Sequence, residues 1–156
     1  MTKIIVSSVN VVIDYKNDVI AYLRAQGHTV YDAGADDPSI PVPYHEAAER
    51  VALPVQRGEY DFGVTICGTG MGVAQVVNKF RGVYGALVET PYTARMSRVI
   101  NDANVLCLGA WIPGREMTYA ILDAFFGTAF NEGMDVQTSA FNAACRRELD
   151  ERFGQV

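Results

Sequence analysis

Gly63 to Gly72 constrains this chain more than any other stretch. Gly63-Val64-Thr65-Ile66 is a short apolar, β-branched run that predicts a buried strand. It stops at Cys67 and passes into Gly68-Thr69-Gly70-Met71-Gly72, after which Val73 to Lys79 is predicted helical. Alternating glycines let backbone N–H groups converge where side chains would otherwise block approach. Such a nest suits an anion or a developing oxyanion. Cys67 stands at its mouth, where the positive end of the following helix favours thiolate over thiol. A base or nucleophile thus lies beside an oxyanion hole.

Two other readings fit the same spacing. The stretch resembles a dinucleotide-binding fingerprint, and Glu89 follows about twenty residues later as that fingerprint requires. Against it, the spacing is G-x-G-x-G, Val73 stands where the third glycine belongs, and this is not the first strand. Alternatively, Cys67 is an unreactive buried cysteine and the glycines only make a tight turn.

The rest of the chain repeats the strand-then-helix rhythm. Strands are predicted at Lys3–Ser8, His28–Ala33, Gly82–Val88 and Asn104–Leu108. Helices are predicted at Asp14–Ala25, Tyr44–Arg57 with a kink at Pro54, Pro91–Asn101 and Glu116–Phe126. Asp36 to Pro43 carries three prolines and reads as an ordered loop. This alternation predicts βαβ units, a five-stranded parallel sheet and helices on both faces. Functional residues in such sheets lie beyond the carboxyl ends of the strands. Ser7, Ser8, Asn10, Cys67, Glu89 and Gly109 all fall there.

A chain of 156 residues suits one domain, 1–156, with a substantial core. Its formal net charge of −5 argues against a nucleic-acid surface. No apolar run approaches the roughly twenty residues of a membrane span. Met1-Thr2-Lys3 leads directly into a strand without a signal peptide. Three cysteines at unrelated spacings make neither a disulfide framework nor a metal site, which places the chain in a reducing cytoplasm. The tail Asp135–Phe153 carries Phe141, Ala144, Cys145, Leu149 and Phe153 along one face of a predicted extended C-terminal helix. That stripe is expected to lie on a second subunit.

Several motifs together carry a family resemblance. They are Ile66-Cys67-Gly68-Thr69-Gly70-Met71-Gly72, Asn78-Lys79-Phe80, Pro91-Tyr92, Ser97-Arg98, Asn101-Asp102-Ala103-Asn104-Val105 and Gly109. From Lys3 to about Phe130 the chain closely resembles ribose-5-phosphate isomerase B and the galactose-6-phosphate isomerase subunits. The resemblance implies a three-layer Rossmann-like α/β sandwich, a homodimer or homotetramer with sites between subunits, no metal or other cofactor, and aldose–ketose isomerisation of a sugar phosphate. It implies Cys67 as the base that moves a proton between C1 and C2, with Thr69 helping to pass the O1/O2 proton. Backbone N–H groups of Gly68 to Gly72, including Gly70 and Met71, would stabilise the enediolate. Asn10 and Asn101 would bind substrate.

The departures are equally informative. Val9-Asn10 stands where many members have Asp-His, Ile100 where ribose-5-phosphate isomerases have a ring-opening histidine, and Trp111 in place of a phosphate-binding arginine. Glu132-Gly133-Met134-Asp135-Val136-Gln137 replaces the arginine-bearing C-terminal segment. Arg95, Lys79 and Arg115 are the nearest replacement cations by segment, unless a related subunit of a hetero-oligomer donates them or the sugar lacks phosphate. Trp111 and Met134 otherwise read as interface packing, Arg98 as structural, His28 as solvent-facing, and Cys107 and Cys145 as inert. His45 is a lesser site candidate. A non-catalytic subunit that kept the fold is the competing class, and the intact Cys67-Gly68-Thr69-Gly70 unit favours catalysis.

Overall fold

The computed structural model describes residues 2–153. Five strands, β1 (Lys3–Ser8), β2 (Thr29–Asp32), β3 (Phe62–Cys67), β4 (Gly85–Leu87) and β5 (Val105–Gly109), form one parallel sheet in the order β2-β1-β3-β5-β4. Ile4, Val6, Val64, Ile66, Leu106 and Leu108 on the three central strands are wholly buried. Strands covered on both faces need such continuous apolar runs. Six α-helices follow: α1 (Ile13–Ala25), α2 (Tyr44–Gln56), α3 (Met71–Val77), α4 (Pro91–Asn101), α5 (Arg115–Phe126) and α6 (Val136–Phe153). The β1–α1–β2 and β3–α3–β4 crossovers leave the sheet centre in opposite directions. Right-handed crossovers then place α1 and α3 on opposite faces. Helix α2 packs with α3 on one face, and α1 and α4 pack with α5 on the other. The result is a three-layer Rossmann-like sandwich.

Several boundaries differ from the sequence expectation. Helix α3 starts at Met71 rather than Val73, because Gly70 at φ +77 turns the chain into the helix two residues early, and it ends at Val77 rather than Lys79. Strand β4 shrinks to Gly85–Leu87 from the expected Gly82–Val88. Gly82 turns at φ +75, and the Tyr84 N–H donates to the Asn104 side chain at 2.8 Å instead of joining a ladder. Helix α2 continues through Pro54 to Gln56. His28 is half-buried rather than solvent-facing, its ring 5.5 Å from that of Phe126 at the end of α5.

Helix α6 also departs from its amphipathic reading. It docks beside α4 of its own chain through polar side chains. Asn142 is buried and donates to Asn131 Oδ1 at 2.9 Å. The Arg146 guanidinium sits 3.5 Å from the Tyr84 ring centroid and pairs with Asp150 at 2.7 Å. Burial, together with the hydrogen bond to Asp150, pushes the Tyr84 phenol up from its ordinary range. Val136, Phe141 and Phe153 remain exposed, as does Cys145. Phe141 and Cys145 of the apolar stripe therefore face away from the chain, whereas Leu149 and Phe153 line clefts on its own surface.

Candidate active site

The sheet order fixes where a site can form. The chain leaves β1 toward β2 and leaves β3 toward β4, so the loops after β1 and β3 separate at the carboxyl edge and open a crevice. Val9 and Asn10 lie on one side, and Cys67 to Met71 lie on the other. The Val9 N–H donates to Ile66 O at 3.1 Å, which pins the two loops side by side. Cys67 pairs in register with Gly109 of β5. The Ala110 and Trp111 N–H groups donate to Cys67 O and Gly68 O at 2.9 and 3.0 Å. Three strand ends thus hold the cysteine loop.

Close approach explains four glycines of this region. A Cβ on Gly70 would lie 2.6 Å from Leu87, and on Gly109 2.5 Å from the Thr69 backbone. One on Gly68 would lie 2.5 Å from the Trp111 ring, and on Gly72 2.8 Å from the Tyr44 ring. The glycine loop is therefore sandwiched against β5 below and two aromatic rings at its sides. This geometry is set by contact, and a dinucleotide fingerprint does not require it.

Cys67 is 7% exposed, and its Sγ accepts the Gly70 N–H at 3.1 Å. Helix α3 is only seven residues long, so the sulfur meets one aimed N–H more than a macrodipole. Gly70 and Met71 N–H groups were expected to face substrate. The structure commits the first to Cys67 Sγ and the second to Thr69 Oγ1 at 3.3 Å. Gly68, Thr69 and Gly72 retain N–H groups with no partner among the described residues.

Cys67, Gly68, Thr69 and Gly72 line one cleft of about 370 Å³ together with Val9, Val11, Tyr44 and Trp111. No lining residue carries a formal charge. A larger cleft of about 910 Å³ adjoins it, shares Val11 and Trp111, and includes Asn10, Asp14, Asp36 and Arg115. Tyr44 and Val11 were missed as lining residues in the sequence, where Trp111 reads as the replacement of a phosphate-binding arginine or else as interface packing. The signal was present in Gly68 and Gly72, whose missing side chains leave room for the two rings.

Other expected site residues fall elsewhere. Asn10 donates to Pro38 O at 3.0 Å and accepts the Val42 N–H at 3.1 Å, so its amide holds the proline-rich loop. Asn101 is exposed at the end of α4 and lines a separate cleft with Tyr84, Leu87 and Leu149. Met71 is exposed and outside the Cys67 cleft. The replacement cations fare no better. Arg95 pairs with Glu132 at 2.9 Å, Lys79 lines a cleft beside Phe153, and Arg115 pairs with Asp18 in the larger cleft. Arg98 is structural: it is buried, pairs with Asp102 at 2.8 Å and stacks over Phe62. His45 edges against Tyr44, and neither it nor Glu89 lines the Cys67 cleft. Burial of Cys107 in β5 raises its thiol well above the usual range, the nearby Cys67 adding to the rise. Among the described residues no three or more His, Cys, Asp or Glu side chains cluster to hold a metal.

A sequence model described as Ribose/Galactose Isomerase matches residues 4–140. The chain is 40% identical to the 4-deoxy-4-sulfo-D-erythrose isomerase of Clostridium sp. (strain MSTE9), over 86% of this chain and 84% of that one. It is 38% identical to ribose-5-phosphate isomerase B of Escherichia coli (strain K12), over 78% and 81% of the two chains. The solved structure of ribose-5-phosphate isomerase B from Clostridium thermocellum superposes with a TM-score of 0.87 at 32% identity, over 96% of this chain and 95% of that one.

Proposed function

The chain belongs to the ribose/galactose isomerase family of sugar-phosphate isomerases, and from that premise we propose an aldose–ketose isomerase with Cys67 as its base. The observation that carries the proposal is the placing of Cys67 Sγ in a cleft whose walls also hold Thr69 and three unpartnered backbone N–H groups. In thiolate form, Sγ takes the C2 proton of an open-chain aldose. The electron pair moves into an enediolate whose oxygen the N–H groups of Gly68, Thr69 and Gly72 stabilise. The Thr69 hydroxyl relays the proton from O2 to O1, and Sγ–H returns its proton to C1. Atoms and charge balance without a cofactor.

The cleft constrains the substrate. An anionic group leaving water needs cations, and arginines supply them best. No lining residue of the Cys67 cleft is cationic. The terminal anion of the substrate, phosphate or sulfonate, is therefore held by residues of another subunit, identical or related, and Asn101 takes its place in the site across that interface. A sugar without an anion is the second reading, and the same uncharged lining favours it. In this reading the enzyme is cytoplasmic and folds as a single domain.

The test incubates the purified chain in D2O with aldoses and ketoses of four to six carbons, with and without a terminal phosphate or sulfonate. NMR then follows deuterium at C1 and C2. Exchange with at least one sugar is expected. Absence of exchange across the panel would leave the non-catalytic subunit as the correct class.

A further inference from the structure

Helix α4 ends in a left-handed turn, which a residue other than glycine holds only where its neighbours over-determine it. Asp102 caps the helix at φ +51 and ψ +39. Its N–H and that of Ala103 donate to Arg98 O and Ser97 O at 3.2 and 3.1 Å. Arg98 donates in turn to Asp102 Oδ1 at 2.8 Å and to Ala103 O at 2.7 Å. The other carboxylate oxygen, Oδ2, lies 3.9 Å from Nε of Arg146 on α6. Arg146 is itself held in place. Its guanidinium lies over the Tyr84 ring, donates to the Tyr84 hydroxyl at 2.5 Å and pairs with Asp150 at 2.7 Å. Tyr84 closes the ring of contacts, its carbonyl oxygen accepting the N–H groups of Asn104 and Val105 at 3.1 and 3.2 Å.

We infer that Arg146 is a positioning residue for Asn101: from α6 it holds the Asp102 turn and so fixes where the Asn101 amide stands. Its effect on turnover rests on the isomerase reading above, in which Asn101 enters the site of a neighbouring subunit. Asn101 is exposed and lines a cleft of about 430 Å³ with Tyr84 and Leu149, so the backbone of the turn is what aims it. Two further ties join α4 to the chain before and within α6, and both hold the helix short of its end. The Asn131 N–H donates to Val99 O at 3.0 Å, with Asn142 bracing Asn131, and Arg95 pairs with Glu132 at 2.9 Å. Arg146 reaches the turn itself. It also stands between two carboxylates, Asp102 and Asp150. Removing the cation leaves like charges facing each other and loosens the turn that one of them caps. A shift of about 1 Å in a group that orients a substrate costs on the order of 100-fold in rate.

The test uses the full chain with Arg146→Met, which keeps the stem and loses the cation, and Arg146→Lys, which keeps a cation beside Asp150 without the planar fork. Native-state hydrogen exchange is the first arm. The Asp102 and Ala103 amides should exchange about 10-fold faster in Arg146→Met and about 3-fold faster in Arg146→Lys. Faster exchange there in either variant, with the Asn142 amide of α6 at its wild-type rate, supports the assignment even if no sugar is turned over and the isomerase reading falls. Unchanged turn amides, or turn amides that change only together with those of α6 in both variants, overturn it. The second arm follows deuterium at C2 of the four- to six-carbon sugars above in Arg146→Met, Asn101→Ala and the double variant. Arg146→Met should lower kcat/KM by about 10-fold or more in the wild-type background and by less than about 2-fold in the Asn101→Ala background, since the two act as one unit. The same penalty in both backgrounds would show a role apart from Asn101 and overturn the assignment, with the isomerase reading intact. No exchange in wild type would sink the isomerase reading and leave the first arm to decide.

Discussion

A carbon acid next to a carbonyl yields its proton only to a base that is close, correctly charged and partly shielded from water. At the residue scale Cys67 meets the geometric part of this demand: its sulfur is nearly buried, lines the cleft and accepts one aimed N–H. Cys67→Ala should lower turnover by at least about 10²–10⁴-fold, the usual contribution of a general base, with little change in thermal stability. Cys67→Ser should be almost as damaging, because an alcohol is too weak an acid to rest as its anion. A deuterium-exchange assay on either variant retaining more than a few per cent of wild-type rate would remove Cys67 from the role. Alkylation is a less direct probe here. Cys145 is exposed and Cys67 is not, so selective labelling should be sought in a Cys145→Ser background.

At the scale of elements, α6 is the part held by charge. Its first turn is anchored by Asp135, which accepts the Thr138 N–H and hydroxyl and is held below the usual carboxylate range by those bonds. Glu132, just before the helix, is lowered by the Ala129 N–H and by Arg95. For Asp150 burial alone would push the carboxyl up, yet hydrogen bonds from Tyr84 and Arg146 bring the balance below the ordinary value. A carboxyl lowered in the folded state stabilises above its unfolded pKa of about 3.9–4.3 and loses that contribution as pH falls through the folded value. Hydrogen exchange measured across pH 7 to 3 should therefore show α6 amides losing protection below about pH 4, before those of β1, β3 and β5. Simultaneous loss in helix and sheet would contradict the local anchor. The contrast follows from burial, since the central strands are held by apolar packing that does not titrate.

At the scale of the whole molecule, the proposed site depends on assembly. The Cys67 cleft has no cation, and the exposed side of α6 carries Val136, Phe141 and Cys145 into solvent. Both features point to a second subunit. Light scattering should find the full chain oligomeric at micromolar concentration, and deletion of residues 136–156 should yield monomer or aggregate without activity. A monomeric full-length chain would end that expectation. The purified chain alone should also be a poor ribose-5-phosphate isomerase, with kcat/KM below the ordinary enzyme range of about 10⁴ M⁻¹s⁻¹. The family resemblance puts Ile100 and Trp111 at the positions of a ring-opening histidine and a phosphate-binding arginine, and neither can do that work.

The sequence by itself determined the parallel sheet, the position of the glycine loop and the cysteine that opens it. Those are local matters: β-branched runs, glycine stops and a strand ending in Cys67-Gly68-Thr69-Gly70 follow from backbone sterics and hydrophobic period alone. Tertiary structure decided what faces the cysteine. Tyr44 and Trp111 come from a helix start and a post-strand loop distant in sequence, and only folding brings their rings onto Gly72 and Gly68. It also decided that Asn10 braces a loop, that Gly70 and Met71 donate inward, and that α6 is held by the polar contacts of Asn142, Arg146 and Asp150 while Phe141 stays exposed. A hydrogen bond or a stacked ring is a relation between distant residues. The pattern within one segment records which groups it offers, and the packed neighbours determine which of them remain free.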